Sequence, residues 1–89
     1  MPGVERIGEY RWEWYGCPVC EDPDADNYGF TFLACDLFDK YADERGAYCP
    51  ICGNFTSLRD VRKWLRRNDP ETLRRIRREC REMREEGYY

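Results

Sequence analysis

Four of the six cysteines form two pairs, Cys17-Pro18-Val19-Cys20 and Cys49-Pro50-Ile51-Cys52, separated by 28 residues. Two residues between cysteines let the chain turn back so that both sulfurs of a pair reach one ion. Two such turns supply four soft ligands at tetrahedral corners, which suits zinc, and thiolates also suit iron. Pro18 and Pro50 stiffen the turns, and Gly53 follows the second pair where a tight backbone is needed. The chain has no histidine, so a mixed Cys/His site is excluded. The expected cofactor is one structural Zn2+ held by Cys17, Cys20, Cys49 and Cys52. Its binding energy would become folding energy. The plainer alternatives are buried cysteines that happen to fall in pairs, or two disulfides.

These motifs resemble the zinc-ribbon group. The likeness spans Trp12 to about Phe55 and lies in Cys17-Pro18-Val19-Cys20 and Cys49-Pro50-Ile51-Cys52-Gly53. It implies a β-hairpin module with strands before, between and after the cysteine pairs. Such modules bind nucleic acid, dock on proteins or serve as structural elements, so the resemblance does not fix a function. Tyr15-x-Cys17 and Tyr48-Cys49-Pro50-x-Cys52-Gly53 are also similar to the two iron loops of rubredoxins. Glu21, where such a loop usually has glycine, and the long basic tail depart from that pattern and count against electron transfer.

Cys35 and Cys80 have no partner at motif spacing and read as small buried hydrophobes. The other residues with chemical potential are cationic. Arginine outnumbers lysine 13 to 2, and the arginines crowd into the last third of the chain. A guanidinium grips phosphate or carboxylate as a bidentate fork. Arg62, Arg66, Arg74, Arg77, Arg78 and Arg81 are therefore candidate partner-binding residues, with Trp12 as a candidate aromatic contact. The competing reading is a solvated face on which Glu79, Glu82, Glu85 and Glu86 form intrahelical pairs. Tyr10, Trp12 and Trp14 read first as core for so small a domain, and otherwise as a stacking or docking platform. Asp22, Asp24 and Asp26 alternate like a calcium loop but lack its glycine and terminal glutamate, and read as a solvated acidic loop.

The elements that must position these groups follow from periodicity. Met1 to Gly8 reads as a loosely held lead-in. Tyr10 to Tyr15 alternates, with Tyr10, Trp12 and Trp14 on one face, which predicts a strand. Glu21 to Asn27 predicts an exposed loop, Tyr28 to Phe38 a second strand, and Asp39 to Gly46 a turn or short helical segment. After Phe55 the pattern becomes helical. Ser57 with Asp60 forms a capping box ahead of Leu58, Val61 and Leu65 at helical spacing. Asp69-Pro70-Glu71 stops one helix and starts another, which runs to about Glu86 before Gly87. Its apolar seam is Leu73, Ile76, Cys80 and Met83, suited to docking inside the chain or to a partner helix.

These readings combine into a small α+β domain, a three-stranded zinc ribbon followed by two C-terminal helices. Residues 1–9 form the lead-in, 10–56 the ribbon, and 57–89 a basic helical hairpin packed on or extending from it. With 89 residues, 37% of them charged, the chain is small enough to need a metal staple. Net charge is −3, divided between −7 in residues 1–57 and +4 in residues 58–89, which implies two surfaces of opposite sign. No segment approaches the length of a membrane span, and no signal peptide is visible, so a cytoplasmic protein without membrane partners is expected. No nucleophile elbow, phosphate loop or histidine base is present, and a four-cysteine site leaves no open metal position, so no enzyme is expected. The leading expectation is a zinc-stabilised adaptor or regulator, of the kind of an accessory factor or phage-type inhibitor. It would bind a larger protein as a monomer or as a weak dimer through the second helix. Nucleic-acid binding through the arginines is the alternative, and rubredoxin-like electron transfer a second.

Overall fold

The computed structural model describes residues 2–20 and 22–88. Strands β1 (Gly3–Gly8), β2 (Arg11–Tyr15) and β3 (Gly29–Leu33) form an antiparallel sheet in the order β1-β2-β3. Strands β4 (Gly46–Tyr48) and β5 (Phe55–Ser57) form a separate antiparallel pair carrying the second cysteine turn. Helices α1 (Leu58–Asn68) and α2 (Pro70–Glu86) complete the chain. The α+β class, with a three-stranded sheet followed by two helices, is as the sequence implies.

The alternation in β2 works as its period of two requires. Trp12 and Trp14 are buried, Arg11 is exposed, and the two indoles stand opposite Phe32 and Phe30 of β3. Tyr10 is not part of the strand. It occupies the β1–β2 turn at φ 61°, yet its ring is buried and meets Tyr88 edge-on at 5.7 Å.

Two segments differ from expectation. Residues Gly3–Gly8 are a strand and not a loose lead-in. Only one end of β1 is covered, so its side chains carry little alternation, and it is held by backbone pairing to β2. Its exposed Glu5 and Arg6 keep this edge polar. The expected strand from Tyr28 to Phe38 stops at Leu33, and Ala34–Phe38 turns into a 3-10 helix with Ala34, Cys35, Asp36 and Leu37 all buried. Asp36 causes the break. Its Oδ2 accepts from the Leu33 N–H at 2.9 Å, and its Oδ1 pairs with Arg45 at 2.8 Å. The acidic loop also contains a 3-10 turn, Pro23–Asn27, capped by Asp22 and pinned by buried Ala25. Met1, Glu21 and Tyr89, and the expectations resting on them, lie outside the described residues.

The helices are delimited as their termini require. Ser57 and Asp60 make the reciprocal capping box of α1. Asp69 caps α2 ahead of Pro70. Gly87 adopts the left-handed conformation at φ 83°, and the Gly87 and Tyr88 N–H groups close a Schellman motif on Arg84 and Met83. Leu58, Val61 and Leu65 of α1 and Leu73, Ile76, Cys80 and Met83 of α2 share one core with Trp12, Trp14, Phe32 and Leu37. The α2 seam is thus buried within the chain, the first of the two roles expected of it. No described helix is long and apolar enough to cross a membrane.

Cys35 and Cys80 are both fully buried, as small hydrophobes would be, but they are also bonded to each other. The disulfide ties the 3-10 segment to α2 across a sequence separation of 45. With that bond formed Cys35 Sγ carries no proton, so its 3.1 Å approach to the Cys80 carbonyl is a packing contact and not a hydrogen bond.

Candidate metal centre

The cysteine turns form a small cluster of their own, separate from the main core. Cys17, Ala25 and Cys49 are its buried members, and Cys20 packs against them. Each turn is fixed by its strands. Gly16, at φ 88°, donates to Tyr28 O at 2.9 Å, while its own carbonyl accepts from the Trp14 indole at 3.0 Å. In the second turn Cys49 N–H donates to Asn54 O and Gly53 N–H to Cys49 O, both at 2.8 Å. Gly53 is left-handed at φ 78°, the conformation expected of it.

The sulfurs of Cys17, Cys49 and Cys52 lie within 4.8 Å of one another, and Cys17 Sγ is 3.7 Å from Cys52 Sγ. Zinc–sulfur bonds of about 2.3 Å place tetrahedral thiolates about 3.8 Å apart, so that separation fits an edge of a metal tetrahedron. The triad could therefore hold a metal ion. Cys20 Sγ is not within 4.8 Å of all three, although its side chain lies against the same cluster.

The two turns present their first sulfur in the same way. The N–H groups of Val19 and Cys20 approach Cys17, and those of Ile51 and Cys52 approach Cys49. Their electrostatic balance differs. Burial pushes the Cys17 thiol up, against those N–H donors. The Cys52 N–H, helped by that of Ile51, holds Cys49 down at about 7 despite burial. Backbone donors that stabilise a thiolate favour the form a metal needs. The four cysteines carry no disulfide among themselves.

The cationic candidates divide. Arg66, Arg74, Arg77, Arg78 and Arg81 are exposed, with Arg77 resting over the Phe38 ring at 4.9 Å. Arg62 is half-buried, and its guanidinium donates to Leu37 O at 3.1 Å, so it ties α1 to the 3-10 segment. Trp12 is not a surface contact. It is 2% exposed, Arg75 covers its ring, and its Nε1 donates to Glu79 at 3.3 Å. Glu79 also accepts from Arg6 at 3.3 Å, so it bridges the sheet to α2 and does not simply decorate a helix face. The sequence carried no local signal for this bridge, because 73 and 67 positions separate Glu79 from Arg6 and Trp12.

Comparison with known proteins returns no matching family model, no matching curated protein and no matching solved structure.

Proposed function

We propose that this chain is a zinc-stabilised, non-catalytic module, of zinc-ribbon type, that docks on a larger protein. The observation that carries the reading is a thiolate cluster beside a cationic surface. Three thiolates converge within 4.8 Å of one another, and Cys20 packs against the same cluster. Exposed arginines line both helices, and Arg66 and Arg67 share a cleft with the first cysteine turn. With Cys20 as fourth ligand, a zinc ion would have no open position for substrate, which supports a structural and not a catalytic metal. The aromatic strand is committed to the core, so the partner is met by the helices and the cysteine turns.

The exposed arginines of α2 also suit a phosphate backbone, and this favours nucleic acid as the second reading. Capture from a nuclease-treated extract of the source cell, with zinc-loaded chain as bait, separates the two. A stoichiometric protein retained after nuclease treatment supports docking. Retention that disappears with nuclease, or no retained protein, overturns it.

A further inference from the structure

A cleft of about 620 Å³ runs between the first cysteine turn and α1. Its volume is within the usual range of ligand sites, about 300–1,000 Å³. Val19, Phe55 and Trp64 supply apolar wall, and Lys63, Arg66 and Arg67 supply charge. Val19 stands 66% exposed on the tip of the turn, at the rim of the cleft. Trp64 is half-buried, and Trp14 holds its ring edge-on at 5.5 Å, so it is a rigid anchor at little entropic cost. Among the described residues, no carboxylate lies within ion-pair distance of Lys63, Arg66 or Arg67. Asp60 also lines the cleft, its Oδ2 accepting from the Ser57 N–H and hydroxyl at 3.0 and 3.1 Å, so three cations against one carboxylate leave the lining net positive.

From this geometry we infer that the cleft receives a short acidic peptide segment of the partner protein, bearing an apolar residue that seats between Val19 and Trp64. The inference rests on the docking function proposed above and names its surface. Three unpaired cations around an apolar wall complement two or three carboxylates flanking a hydrophobic side chain. A longer polyanion fits less well. Two residues beyond Cys20 the chain enters Asp22, Asp24 and Asp26, so a phosphate strand extended along that part of the chain meets like charge.

The test is fluorescence anisotropy with zinc-loaded protein and a labelled peptide of Asp and Glu flanking a Leu-Phe pair. The Asn/Gln version of the peptide and oligothymidylate of matching length serve as competitors. The acidic peptide binds, and Lys63→Glu with Arg67→Glu weakens it roughly tenfold or more, as two lost ion pairs near 1 kcal/mol each imply. Val19→Asp, at an exposed position that leaves the core intact, weakens it comparably. Lys40→Glu, a charge reversal outside the cleft, leaves it unaltered. Equal binding by the cleft variants, or equal competition by the neutral peptide, overturns the inference. Oligothymidylate as the tighter competitor overturns it in favour of nucleic acid, and a self-associated chain that Val19→Asp dissociates overturns it in favour of a second copy. A protein captured from extract equally by wild-type and Lys63→Glu/Arg67→Glu chains removes the cleft while docking stands. No captured protein removes the docking function itself.

Discussion

Replacing Glu79 with alanine tests how the sheet is held on the helices. Glu79 is 12% exposed in its side chain and accepts two hydrogen bonds from the sheet, one from Arg6 Nε and one from Trp12 Nε1. The Arg6 guanidinium is 45% exposed, so its share is that of a surface ion pair, at most about 1 kcal/mol. The indole is buried, and losing a charged acceptor while leaving its N–H without a partner costs about 1.5–3 kcal/mol. Glu79→Ala should therefore destabilise by about 1.5–4 kcal/mol, which for a domain of this size lowers the Tm by roughly 6–30 °C. Arg6→Ala should cost less than about 1 kcal/mol, and Glu79→Gln, which keeps an acceptor, should fall between. Urea unfolding of the zinc-loaded protein, followed by circular dichroism and tryptophan fluorescence, measures all three. A Glu79→Ala chain within about 0.5 kcal/mol of wild type, the range of an ordinary surface change, would refute the bridge and with it the structural assignment of Trp12.

Three further outcomes follow from the same geometry. Reducing the Cys35–Cys80 bond should lower stability by up to about 4 kcal/mol, the loop-closure value for a separation near 45 residues, and equal unfolding midpoints of the oxidised and reduced chains would contradict this. Tyr10 is raised from 10.0 to about 12 by burial, with the Glu86 carboxylate accepting from its hydroxyl and Glu82 and Glu9 nearby. The folded chain thus holds that proton more tightly than the unfolded one, so the stability it adds is complete below pH 10 and lost as pH rises through about 12. Wild type should lose stability in that window and Tyr10→Phe should not; parallel pH profiles would contradict the assignment. In metal-free, reduced protein near pH 7, alkylation followed by mass spectrometry should find Cys49 modified before Cys17, because backbone donors lower one thiol and burial raises the other. The reverse order would contradict it.

Local signals were legible in the sequence where a single turn or period decides the structure. Ser57 with Asp60, Asp69 with Pro70, and Gly87 each act on backbone groups within a few residues, so their types and spacing sufficed. The seam of Leu73, Ile76, Cys80 and Met83 was readable because a helix places those positions on one face. The illegible parts are tertiary. Strand β1 is an edge with Gly3 buried, Val4 and Gly8 half-buried and the three residues between exposed, so it lacks the alternation that marked β2. The run from Tyr28 to Phe38 is apolar apart from Thr31 and Asp36, and its change from strand to 3-10 helix depends on that one buried carboxylate, with a partner nine positions on. Cys35 and Cys80 read correctly as buried, but their bond depends on how α2 lies against the 3-10 segment. At the metal centre the pairing of motifs was visible from spacing, whereas the differing thiol environments of Cys17 and Cys49 come from turn geometry. The alternation that made Trp12 a candidate contact is the same pattern that buries it, and only the helices packed behind β2 distinguish the two outcomes.

The proposed module depends on one zinc ion held by four thiolates. Native mass spectrometry with elemental analysis of the purified chain, beside its Cys20→Ser and Cys49→Ser variants, measures this. One zinc per wild-type chain, weakened retention in Cys20→Ser and loss in Cys49→Ser are expected. A wild-type chain that carries iron, or no metal, or a Cys20→Ser chain that holds zinc as tightly as wild type, would contradict it.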